Sequence, residues 1–112
     1  MIKVNWDVEE LVALIDVYRS SGNMSAAAIE DNLSALAERL VKRADKLGIA
    51  HDEKFRNLNG MKMMFQNVVF IATEGKQGLS AASSNMQKVY SLLLSNPEVF
   101  ETIRCRFNRR NK

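Results

Sequence analysis

The stretch Ser25-AAAIEDNLSALAERLVKRADKL-Gly48 decides the fold class. Its apolar residues Ile29, Leu33, Leu36, Leu40, Ala44 and Leu47 step by three or four positions, the spacing that lines one face of an α-helix. Gly48 supplies a C-terminal stop, because glycine accepts the left-handed backbone that ends many helices. Asp31 and Asn32 favour caps over helix interiors, so the spacing allows a break there.

The same reading extends to both sides. Asp7, with Glu10 three residues on, has the form of a capping box, and Leu11, Leu14, Ile15 and Tyr18 follow as one apolar stripe. Trp6 precedes the cap, where it can staple against Leu11 or a neighbour. Ser20 to Asn23 ends this helix. Beyond the loop 49–56, Asn57 is an N-cap for a third helix to about Ala72, with Met61, Met64, Phe65, Val68 and Ile71 inward and Lys62 and Gln66 on another face. Thr73 to Gly78 is a loop. Ser83 or Ser84 opens a fourth helix to about Leu94, with Val89, Leu92 and Leu93 inward. Ser95-Asn96-Pro97-Glu98 breaks the chain and restarts it, since proline suits a first helical turn. The last helix runs to about Phe107 and ends in Arg109, Arg110 and Lys112. No β-alternation outlasts four residues. The expected fold is all-α, a compact bundle of about five helices in one domain, residues 1–112, with 105–112 a basic tail that frays.

At 112 residues the chain exceeds the ~40 below which staples are usually needed. The single cysteine, Cys105, reads as a small hydrophobe on a helix, and with no signal peptide it points to a reducing cytoplasm. No apolar run approaches the ~20 residues that span a bilayer, so a membrane partner is not expected.

Catalytic chemistry is thin. His51 is the one histidine, and alone it supplies neither a triad nor a metal cluster. Gly75 and Gly78 lack the surroundings of a phosphate-cradling loop. The domain therefore reads as a non-enzyme, with no cofactor and no metal.

Charge is uneven along the chain. Residues 1–53 carry ten Asp/Glu against six Lys/Arg, a net −4, whereas residues 54–112 carry ten Lys/Arg against three acids, a net +7. Such asymmetry points to a polyanionic partner, against the plainer reading of a solvated basic face. The stretch densest in candidate contacts is Phe55-RNLNGMKMMFQ-Asn67. A helix start presents unpaired N–H groups to phosphate, and Arg56 can add a bidentate contact to phosphate or guanine. Asn57 or Asn59 can cap the helix or read an adenine edge, capping being the simpler reading of Asn57.

These motifs, taken in order, resemble the helical N-terminal domain of bacterial HNH restriction endonucleases, including McrA-type enzymes that act on modified DNA. The matching positions are Trp6, Glu9, Glu10, Leu11, Arg56, Asn57, Asn59, Gly60, Met61, Asn67, Gly78, Leu79, Ser80, Pro97 and Glu98, spread over roughly residues 5 to 104. The resemblance implies DNA recognition, with cleavage left to a separate HNH domain. The 112 residues contain no HNH segment, so cleavage is not carried over. Val68 to Glu74 replaces an aromatic and acidic-Pro element of the family, which puts the reading of a modified base in doubt.

The leading expectation is a DNA-binding module of restriction or defence type for duplex DNA. Arg56, Asn57, Asn59, Lys62 and Gln66 would form the recognition surface, and Lys76, Ser80 and Lys88 would touch the backbone. Arg104, Arg106, Arg109 and Arg110 would add phosphate contacts or simply form a solvated tail. The alternative is a protein-interaction module, a subunit or inhibitor of a nuclease or defence protein. It rests on Met61, Met63 and Met64, since methionine-rich faces adapt to partners.

Overall fold

A computed structural model describes residues 4–80 and 82–111. Lys3 and Lys112, counted among the cations above, lie outside the described residues. Five helices follow in order: α1 Val8–Arg19, α2 Ala26–Leu47, α3 Leu58–Ala72, α4 Ser84–Ser95 and α5 Pro97–Arg110. No strand occurs among the described residues. The chain is the expected all-α bundle, and among the described residues no helix is long and apolar enough to cross a membrane.

α1 is the axis of the bundle. It begins with a complete capping box: the Asp7 carboxylate accepts from the Glu10 amide at 2.9 Å, and Glu10 accepts in return from the Asp7 amide at 3.0 Å. Five consecutive residues, Leu11 to Ile15, are buried behind it. The expected stripe of Leu11, Leu14 and Ile15 is therefore too narrow, for Val12 and Ala13 are inside as well. The reason is packing. α2, α3, α4 and α5 all touch α1, so every side of its middle is covered.

α2 is amphipathic and unbroken. Asp31 and Asn32 do not interrupt it, because the helix is held on both sides of them by Ile29 and by buried Leu33 and Leu36. Gly48 takes φ +71°, and the Ile49 amide donates to the Ala44 carbonyl at 2.9 Å, closing the end. Leu47, expected inward, is 59% exposed, because α2 runs past the body it packs on. α3 has the expected bounds and buries Met61, Phe65 and Val68, while Met64 and Ile71 are only half-buried.

α4 and α5 meet at Asn96, with Pro97 opening the second helix. Their buried residues Met86, Val89, Phe100 and Phe107 close the core against α1. α5 continues three residues beyond the expected Phe107. Its end is tied down: Asn111 is buried, donates to the Phe107 carbonyl at 2.9 Å, and offers its own carbonyl to the Arg39 Nε at 2.9 Å. Residues 105–110 are thus an ordered last turn and a half, not a frayed tail.

The loop after α3 returns over that helix at Gly78. The Leu79 amide donates to the Gln66 carbonyl at 3.1 Å. Gly78 has φ +86°, and a Cβ there would lie 2.3 Å from the Gln66 oxygen and 2.7 Å from the Phe70 nitrogen. Only glycine fits. Gly78→Ala should lower the unfolding free energy by at least about 2 kcal/mol. Gly22→Ala, where nothing lies within 4 Å, should change it by less than about 0.5 kcal/mol. Urea melts of the two variants provide the comparison.

Candidate nucleic-acid interface

Arg56, expected at the recognition surface with Asn59 and Lys62, has different work in the structure. It ends the turn at residues 53–56 with φ +50°, a left-handed backbone that costs a non-glycine residue about 1 kcal/mol or more. Its guanidinium grips the Glu10 carboxylate as a fork, Nε to Oε2 at 2.7 Å and Nη2 to Oε1 at 2.9 Å. Further donors reach the carbonyls of Val4 at 3.3 Å and Asn5 at 3.2 Å. The rings of Trp6 and Phe55 lie 4.4 and 4.3 Å from it. With the Arg56 side chain 7% exposed and that of Glu10 4%, no room is left for a phosphate or a base edge. Trp6 accordingly packs on Arg56 rather than serving only as a staple.

Asn57 is the N-cap, accepting from the Gly60 amide at 2.8 Å, so capping is what its side chain does. Asn59, Lys62 and Gln66 remain exposed. Spaced at i, i+3 and i+7, they form a stripe along α3, and Lys62 stands a loose 3.6 Å from Glu30 of α2. Lys76 and Ser80 are exposed in the loop after α3, and Lys88 is exposed on α4. Arg104 is not available as expected. It pairs with Glu101 at 2.8 Å, and Glu101 also holds Arg19 at 2.8 Å. Hydrogen bonds from Arg104 and then Arg19 keep the Glu101 carboxyl below its ordinary range.

Sequence reasoning also missed a cluster. Arg39 of α2 reaches the Asn108 side chain at 2.7 Å and the Asn111 carbonyl at 2.9 Å, with its guanidinium over the Phe107 ring at 4.9 Å. Two turns later Lys46 donates to the Arg110 carbonyl at 3.0 Å. These long side chains, rather than close backbone packing, tie the end of α5 to the second half of α2. The tie brings Lys46, from the acidic half of the sequence, beside Arg110, with Lys42 one turn back on α2 and Arg106 and Arg109 on the last turns of α5. All five are exposed and form no ion pair with a carboxylate among the described residues. Of the nearby acids, Asp7 and Glu9 are held by Arg43 at 2.9 and 3.2 Å, and Asp45 by His51. The i, i+4 spacing of Lys42 and Lys46 was the available signal, hidden by averaging charge over half the chain.

No family model, curated protein or solved structure matches the chain. The resemblance to the HNH-associated domain thus stands on its motif residues alone. Several of them carry structural duties here: Glu10 and Arg56 the buried pair, Asn57 the cap, Gly78 the close crossing.

No group of His, Cys, Asp and Glu among the described residues is arranged to hold a metal ion. Cys105 lies on α5, as expected on a helix, and is exposed there. His51 stacks on Phe55 at 4.7 Å, and its Nε2 lies 2.7 Å from the Asp45 carboxylate. The Asp45 hydrogen bond, with help from the Asp52 carbonyl, raises its pKa above the ordinary 6.5. A raised folded value means that protonated His51 stabilises the fold. That contribution is complete below about pH 6.5 and fades as the pH climbs through the raised value. Thermal melts between pH 6 and 8 should therefore show a stability loss with rising pH that is smaller in His51→Gln.

Proposed function

We propose that this domain is a non-catalytic DNA-binding module of restriction or defence type. It grips the phosphate backbone of duplex DNA with Lys42, Lys46, Arg106, Arg109 and Arg110. The observation that carries the reading is the contrast among the cations. Arg19, Arg39, Arg43, Arg56 and Arg104 are each engaged by carboxylates, side-chain amides or carbonyls. The five on the second half of α2 and the end of α5 are exposed and have no carboxylate partner among the described residues, and of them Lys46 alone is shown bonded, to the Arg110 carbonyl. Phosphate contacts of this kind position a protein on DNA without reading its sequence. The stripe of Asn59, Lys62 and Gln66 keeps the recognition role, and Arg56 leaves it. Restriction or defence as the setting comes from the resemblance.

A second reading, a protein-interaction module, draws on exposed apolar residues. Met63 is 59% exposed and Leu94 71%. Retention of a host protein after nuclease treatment, with no affinity for DNA, would favour it.

The test is a salt titration of binding to a duplex, followed by fluorescence anisotropy. Each lost phosphate contact should flatten the log–log slope by about 0.9, so the triple change of Arg106, Arg109 and Arg110 to Gln should flatten it by about 2.7. No detectable binding by the unaltered protein at low salt would defeat the proposal.

A further inference from the structure

A pocket of about 480 Å³ opens beside the Arg56 clasp. That volume lies within the range of about 300–1,000 Å³ typical of small-molecule sites. Its walls include Trp6, Phe55, Met63 and Met64, with Asn67 among the lining residues. Asn67 is 7% exposed, and its Oδ1 is buried with no hydrogen-bond partner. Its Nδ2 has only the weak acceptor Met64 Sδ, at 3.8 Å. A buried amide left so poorly satisfied is exceptional in a folded domain and calls for an explanation. Asparagine is a poor choice here for packing alone, since an apolar residue of similar size would avoid the unsatisfied acceptor.

We propose that this pocket takes an uncharged planar heterocycle of nucleobase type, and that Asn67 pairs with its edge. Three features select that chemistry. Aromatic and thioether walls suit a flat ring. An amide offers one acceptor and one donor face side by side, which matches a ring edge carrying C=O next to N–H. Of the charged residues at the wall, Arg56 is already neutralised by Glu10, and Asp52 and Lys54 carry opposite charges, so the site has no net demand for an anion. The Asn67 oxygen has almost no surface of its own, so the ring reaches it only when a lining side chain moves, and Met64, already against the amide through its Sδ–Nδ2 contact, is the one we assign to move. Met64 is half-buried and unbranched, and its thioether is the contact to be exchanged. The ring can belong to a free nucleoside or to a base within a strand. Only the second source rests on the DNA-binding reading.

The experiment uses the full chain with methyl-labelled methionine and the four common deoxynucleosides as probes. At least one nucleoside should shift the Met64 methyl and the Trp6 indole signals, while Met86, fully buried in the core, stays still. Asn67→Leu should keep its melting temperature, because it removes an unsatisfied buried acceptor, yet weaken nucleoside binding by roughly tenfold or more. If no nucleoside moves Met64 and Trp6, or if Asn67→Leu binds equally well, the proposal is overturned. Should Asn67→Leu fail to fold, the methyl shifts of the unaltered protein still decide. A duplex bound with salt dependence but without these shifts would overturn the pocket and leave the phosphate grip standing. Nucleoside shifts in a protein with no affinity for duplex would support the pocket and sink the DNA reading.

Discussion

The carboxylate of Glu10 and the guanidinium of Arg56 meet 46 residues apart in sequence, at 2.7 Å and almost out of water. Burying two charges is costly unless each is fully paired, and here each is. Glu10 accepts from Arg56 and from the Asp7 amide, so one side chain closes both the start of α1 and the entry to α3. Arg56 in turn holds the carbonyls of Val4 and Asn5 and the rings of Trp6 and Phe55. The left-handed turn at Arg56 persists because these contacts over-determine it. Asn57 then starts α3 in the one place where Met61, Phe65 and Val68 reach the flank of α1.

The same turn of α1 organises charge elsewhere. Asp7 and Glu9 hold Arg43 of α2, and acids at a helix start also suit its dipole. By engaging Arg43 and Arg56, this turn removes two cations from the surface. Among the cations left outside is the group on α2 and the end of α5, two elements joined through Arg39 and Lys46. The proposed phosphate grip is a consequence of which cations the fold consumes, not of the total charge. The pocket at Asn67 is lined by Arg56, which the same turn holds through Glu10.

Much of the architecture was legible in the sequence because it is local. The Asp7/Glu10 box, the Asn57 cap, the Gly48 stop and the Pro97 restart each depend on residues a few positions apart. The readings that changed all depend on distant partners. Val12 and Ala13 look peripheral until four helices surround α1. Leu47 looks buried until α2 overshoots its neighbours. Arg56 looks like an anion receptor until Glu10 arrives from the first helix. Asn67 sits on α3 between Phe65 and Val68, and its burial is invisible in a pattern that treats asparagine as surface. The C-terminal arginines looked like a loose tail because Arg39, which anchors them, belongs to another helix.

The entry to α3 and the start of α1 both depend on Glu10 and Arg56 being a buried structural clasp. A double-mutant cycle of Glu10→Gln and Arg56→Gln, read by urea unfolding, measures their coupling directly. A coupling of about 2 kcal/mol or more is predicted, as for desolvated pairs. A value below about 0.5 kcal/mol, the range of solvent-exposed pairs, would contradict it and return Arg56 to the surface.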